Sequence, residues 1–337
     1  MVKHRTIISE IGNTPLMKLK KISELTGCNI YGKAEFLNPG QSIKDRTALK
    51  IIEEAEARKS ISKGGLIVEG TAGNTGIGLS IVANAKGYKT KIIIPNTQSE
   101  EKKSTLRSYG AELIEVPAVP YSDEKNYQHI ARKIAEEETI KSPNGVLFAD
   151  QWNNLDNIKA HYEGTGPEIW NDTDGKIDGF VCSIGTGGTI TGISNYLKEK
   201  NKNIKIAVAD PHGAAMYSYF KSNEVIASQG NSISEGIGLG RITPIIKEAK
   251  NIDFSYLIDD HTALPYIYDL VINEGIMLGG SSAINIAGAV ELAKELGPGS
   301  TIVTILCDNG NRYQSKLFNP SYLIEKGIAV PEWLSVY

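Results

Sequence analysis

The chain has 337 residues, 41% hydrophobic and 22% charged, with a formal net charge of -3. That is enough for a large core and two domains or subdomains, and so balanced a charge argues against nucleic acid or a charged membrane surface as the main partner. Cys28, Cys182 and Cys307 lie too far apart for a CxxC zinc site or a disulfide framework, so a reducing cytoplasm is the expected compartment. The first twelve residues lack the apolar stretch of a signal peptide, and no window reaches the length of a membrane-crossing helix.

In chain order, the first clear element follows Pro39 and Gly40. Ala48, Ile51, Ile52 and Ala55 recur at i, i+3, i+4 and i+7, which predicts a half-buried helix over 45–58 with Ser42 as its N-cap. Short β-branched runs predict strands at 66–69, 90–95, 111–117, 146–149, 179–184, 204–209 and 301–307. Helical patterns fall between several of them, among them 77–85 and 190–198. Segments 121–126 and 171–176 read as surface loops, the second near a change from one sheet to the next. Strands alternating with helices predict an α/β fold with mainly parallel sheets, in two lobes with a cleft between. In such sheets ligands sit beyond the carboxyl ends of the strands, so the turns into helices carry the chemistry.

Three turns and a lysine stand out. Lys44 follows Asn38-Pro39-Gly40-Gln41-Ser42 and falls in a first helical turn, where the helix dipole disfavours a second positive charge and favours a neutral, nucleophilic amine. Gly70-Thr71-Ala72-Gly73-Asn74-Thr75-Gly76 joins a strand to a helix and offers backbone N–H groups and hydroxyls to an anion such as a carboxylate. Gly185-Thr186-Gly187-Gly188-Thr189 does the same with less bulk, which suits a phosphate. It is neither a P-loop nor a GxGxxG fingerprint. Gly279-Gly280-Ser281-Ser282-Ala283 precedes a helical stretch that its two hydroxyls could cap, and the glycine-rich loop Ser234-Glu235-Gly236-Ile237-Gly238 could line a cleft or simply turn. His4, His129, His161, His212 and His261 show no metal-ligand spacing and read as surface or locally bonded residues. Cys182 and Cys307 read as buried core thiols, and no GxSxG elbow supports a hydrolase triad.

Taken in order, these pieces resemble the cysteine synthase (O-acetylserine sulfhydrylase) and cystathionine β-synthase family of fold type II pyridoxal-phosphate enzymes. The matching motifs are IGNTPL at 11–16, NPGQSIKDR at 38–46, GTAGNTG at 70–76, GTGPEIWNDTDG at 164–175, GTGGTITG at 185–192, SEGIG at 234–238 and GGSS at 279–282. The resemblance implies two open, mainly parallel twisted sheets of the tryptophan-synthase-β type. It also implies a smaller, mobile lobe at 45–158 and a larger lobe made of 1–44 and 159–337, with the active site in the cleft between them.

By the same resemblance Lys44 carries pyridoxal 5'-phosphate as a Schiff base, Asn74 hydrogen-bonds the cofactor's ring oxygen, Gly185, Thr186, Gly187, Gly188 and Thr189 hold its phosphate, and Ser281 faces the pyridine nitrogen. Thr71, Ala72, Gly73 and Thr75 with Gln151 correspond to the substrate-carboxylate pocket. Gly236 and Ile237 correspond to the opposite wall. The implied reaction is β-replacement, forming L-cysteine from O-acetylserine and sulfide through an aminoacrylate. No metal is implied. A hydroxyl at Ser281 suits elimination better than transamination.

Two positions depart from the family: Ala72 stands where serine is usual and Ala283 where glycine is usual. The same first half-reaction also serves cystathionine β-synthase-type and cysteine desulfhydrase activities. A rival of another class is a non-catalytic paralogue that holds the tail of a partner such as serine acetyltransferase. A homodimer is the oligomer that the resemblance implies.

Overall fold

The structure is a computed structural model that describes residues 5–335; His4 lies outside the described residues. The described residues form ten strands: β1 (Leu16–Lys18), β2 (Asn29–Ala34), β3 (Leu66–Gly70), β4 (Lys89–Pro95), β5 (Glu112–Val116), β6 (Val146–Phe148), β7 (Gly179–Cys182), β8 (Lys205–Pro211), β9 (Phe254–Ile258) and β10 (Thr301–Leu306). They form a six-stranded sheet in the order β1-β2-β10-β7-β8-β9 and a four-stranded sheet in the order β5-β4-β3-β6. Every pairing is parallel except β1 with β2.

All seven strands expected from the sequence exist, with ends displaced by at most two residues. The interior strands β7, β8 and β10 are buried along almost their whole length, as parallel strands covered by helices on both faces must be. On one face of the large sheet the helices Asp260–Glu274 and Gly280–Leu296 bury Leu264, Ile267, Ile284 and Ile286. On the other, Gly188–Lys200 buries Ile190, Ile193 and Leu197. The smaller sheet packs the helix Lys44–Ala57 through Ile51, Ile52 and Ala55 against Leu79 and Val82 of the helix Asn74–Lys86. Gly78 permits this approach: a Cβ there would lie 3.1 Å from both Asp45 Cα and Lys44 O.

Two local expectations are corrected. Ser42 is not the N-cap. Ile43 takes that place with helical backbone angles and no side-chain cap. Ser42 is held instead by a β-bridge to Asp308, and its Oγ only reaches Lys44 N at 3.3 Å. The 171–176 loop begins later than expected, because the helix Gly166–Asp172 takes its first two residues and the turn is made by Asp174 and Gly175 at positive φ. No helix of the described residues is long and apolar enough to cross a membrane.

Candidate active site

A cleft of about 230 Å³ opens between the two sheets at the carboxyl ends of β3, β7 and β10. Lys44, at the start of its helix, lines it together with Cys182, Cys307 and Ser281. Burial pulls the Lys44 amine below its ordinary pKa of 10.5, against the opposing pull of Cys307 and Asp308. A neutral amine is the form that condenses with an aldehyde. Cys182 is buried in the core as expected, its edge reaching the cleft, whereas Cys307 is only half-buried. Among the described residues all three cysteines are free.

The turn after β3 brings Thr71, Ala72, Asn74 and Thr75 to the cleft, and the turn after β7 brings Gly185, Thr186, Gly187 and Thr189. Gly236 and Ile237 line the facing side, and Gln151 lies beneath the first turn. Gly73 and Gly188 are turned away. A Cβ on Gly73 would meet the Lys102 stem at 2.7 Å, and one on Gly188 would meet Asn157 Oδ1 at 2.1 Å. Ala283 is fully buried in the core below the Ser281 turn and does not border the cleft.

The first two turns are joined by a buried relay that sequence reasoning missed. Thr75 Oγ1 donates to Gln151 Oε1 at 2.6 Å, and Gln151 Nε2 donates to Glu69 Oε1 at 3.1 Å. Asn157 Nδ2 donates both to Gln151 O and to Thr186 Oγ1, each at 2.9 Å. Thr47 Oγ1 then donates to Asn157 Oδ1 at 3.0 Å, tying the relay to the Lys44 helix. His161 is fully buried at a π-turn, with Nδ1 2.9 Å from Thr165 Oγ1 and Nε2 3.3 Å from Thr189 Oγ1. Burial, with the charges of Lys44 and Arg46, holds its pKa well below the usual value, so it stays neutral.

Burial pushes Glu69 up to about 8, with the charge of Asp150 adding to it and the Gln151 hydrogen bonds opposing. A carboxyl raised above its ordinary 4.5 stabilises the fold fully below that value and loses the contribution as pH rises through its folded pKa. The wild-type chain is therefore expected to lose stability between pH 4.5 and about 8 relative to Glu69→Gln. Urea denaturation of both proteins across that range reads the difference; parallel curves would remove the assignment.

The Ser234–Gly238 loop is pinned by two lysines from distant parts of the chain. Lys102 Nζ, on the helix Glu100–Ser108, lies 2.6 Å from Glu235 Oε2, and Lys316 pairs with Glu235 Oε1. The two ammonium groups keep the Glu235 carboxyl below its usual pKa although burial opposes them. The loop reaches Gly185 so closely that a Cβ on that residue would lie 2.3 Å from Gly236 O.

The site therefore combines a half-buried lysine, its pKa lowered by burial, with two small-residue turns, one opening the helix Gly188–Lys200, whose backbone N–H groups and dipole suit a phosphate. Gly185 and Gly187 line the cleft with backbone alone; a Cβ on them would lie 2.3 Å from Gly236 O and 2.5 Å from Ile246 Cδ1, so this turn can pack against both neighbours only as glycine. These residues fit pyridoxal phosphate. Residues 7–308 match the pyridoxal-phosphate dependent enzyme family.

The chain belongs to that family.

It is similar to cysteine synthase 1 of Neurospora crassa, 48% identical over 97% of this chain and 87% of the relative. Cysteine synthase 1 of Emericella nidulans is also 48% identical, over 97% of this chain and 88% of the relative. Among solved structures, O-ureido-L-serine synthase superposes with a TM-score of 0.83 at 30% identity, covering 98% of this chain and 99% of that one.

Proposed function

We propose that this enzyme, with pyridoxal phosphate on Lys44, replaces a leaving group on the β-carbon of an amino acid with sulfide and so forms L-cysteine. O-acetylserine is the amino-acid substrate in this proposal. The observation that carries it is the meeting of Lys44, the Thr71–Thr75 turn and the Gly185–Thr189 turn in one cleft, supported by cysteine synthases 48% identical over 97% of the chain.

When bound, the cofactor supplies an electron sink for charge developing at Cα. The other tasks belong to the chain. Lys44 Nζ, its pKa lowered by burial, takes the Cα proton and returns it. Backbone N–H groups of the Thr71–Thr75 turn bind the substrate carboxylate. Thr71 Oγ1 accepts from Gly73 N at 3.1 Å, which leaves its O–H for the substrate. Thr75 spends its O–H on Gln151, so Gln151 orients that turn from below. Ala72 contributes backbone alone. Thr186 and Thr189, held by Asn157 and His161, flank the phosphate. Ser281 presents a neutral hydroxyl to the pyridine nitrogen. Residues 45–158 act as the smaller lobe that closes, and with Gly236 and Ile237 they exclude water. A homodimer, association with serine acetyltransferase and a cytoplasmic location complete the proposal.

The test is the visible spectrum of the purified protein on adding O-acetylserine and then sulfide. A yellow protein whose band shifts with the first and returns with the second supports the proposal. A yellow protein that responds only to serine with homocysteine, or to cysteine alone, moves the activity to cystathionine formation or desulfhydration. A protein that stays colourless with added pyridoxal phosphate overturns it.

A further inference from the structure

Asn74 opens the helix Asn74–Lys86 and lines the cleft. Its amide has two unlike ends: the oxygen only accepts hydrogen bonds and the nitrogen only donates. Two charged neighbours decide which end faces which way. Arg312, which has donors only, places Nη1 2.5 Å from Asn74 Oδ1. Asp308, an acceptor when ionised, places Oδ2 2.7 Å from Asn74 Nδ2. Turning the amide over would set NH₂ against a guanidinium and oxygen against a carboxylate.

Both neighbours are themselves fixed. Asp308 and Arg312 are 1% and 4% exposed. Tyr313 donates its hydroxyl to Asp308 Oδ2 at 2.5 Å. Arg312 Nη2 donates to Gly40 O, and Ser99 Oγ donates to Arg312 O at 2.8 Å. Asp308 takes one hydrogen of Asn74 Nδ2, and among the described residues no other group takes the second.

We propose that Asp308 and Arg312 are positioning residues that lock the Asn74 amide with its nitrogen, not its oxygen, toward the phenolic ring oxygen of the cofactor. This rests on the reading of Asn74 as the partner of that oxygen. A donor there favours the deprotonated ring oxygen and the yellow form; an acceptor favours the protonated hydroxyl and absorption at shorter wavelength. Neither residue needs to touch the cofactor. Replacing either releases the amide to present both ends.

The experiment compares cofactor-loaded wild type, Asn74→Ala, Asp308→Asn, Arg312→Lys and the Asn74→Ala/Asp308→Asn double variant without substrate. It reads the ratio of visible to near-ultraviolet cofactor absorption and the dissociation constant for pyridoxal phosphate, with circular dichroism as the check on folding. Asp308→Asn and Arg312→Lys are each expected to lower the visible fraction and weaken cofactor binding about tenfold. The double variant is expected to match Asn74→Ala alone, because the lock acts only through that amide. Arg312→Lys keeps the test open if Asp308→Asn does not fold.

Wild-type spectra in both positioning variants, with a changed spectrum in Asn74→Ala, would overturn the lock and leave the Asn74 contact standing. An unchanged spectrum in Asn74→Ala overturns the ring-oxygen contact and the lock with it. Failure of wild type to bind the cofactor overturns the proposed function itself.

Discussion

Lys44→Ala is expected to bind pyridoxal phosphate without covalent attachment and to lose turnover by at least about three orders of magnitude. The side chain has two separable duties in the proposed chemistry, holding the cofactor and moving the Cα proton. Added alkylamines of suitable size replace the second more readily than the first. Borohydride reduction followed by mass spectrometry checks attachment directly. Wild type should gain the reduced cofactor on the peptide containing Lys44, and the variant should gain nothing. An adduct on another lysine, or a variant that keeps full turnover, would remove Lys44 from its place in the mechanism.

Arg46→Ala is expected to destabilise the fold by about 3–5 kcal/mol, the usual cost of leaving a buried charge without its partner. Arg46 Nε lies 2.7 Å from Glu35 Oε2, and Nη2 lies 2.8 Å from Glu35 Oε1. Arg46 also donates to Glu168 at 2.6 and 2.7 Å and to Thr14 Oγ1 at 3.2 Å. Glu35 is wholly inaccessible to water. Burial pushes Glu168 upward, yet Arg46 and Lys33 outweigh it and hold its carboxyl at about 2. Lys33 Nζ lies 2.9 Å from Glu168 and 2.8 Å from Asp172. With the guanidinium gone, Glu168 retains Lys33, while Glu35 keeps only the Thr14 hydroxyl and the Asn38 amide. Urea denaturation should show a lower midpoint with an unchanged slope. A loss below about 1 kcal/mol, as for an exposed pair, would show that this cluster is not a buried anchor.

Much of the fold could be read from the chain because its parallel strands are short, β-branched runs bounded by glycine turns. β2 escaped because its sequence looks wrong for an interior strand. Lys33 sits in it, and its ammonium is buried only because Glu168, Asp172 and Thr14 O receive it. The small-residue turns of the cleft were legible for the same reason that they suit anions: nothing but backbone and hydroxyls occupies them. Their supports were not. Asn157, His161, Lys102 and Arg312 are ordinary polar residues until folding brings distant segments together. Asp308 was within reach of sequence reasoning, since it follows directly on the predicted strand 301–307, where the rule for parallel sheets places ligand-binding groups.

The order of the large sheet also bears on how the chain is made. β2 lies between β1 and β10, and its parallel partner begins with Thr301 opposite Asn29. Synthesis from the N-terminus thus produces β2 among the first strands and its neighbour last. One edge of β2 has no native partner until the segment Thr301–Leu306 has left the ribosome. Glu168 likewise emerges long after the Arg46 that it neutralises. The nascent N-terminal segment therefore carries an open strand edge and a cation without its full set of counter-charges, and the large sheet cannot close around β2 until β10 has been made.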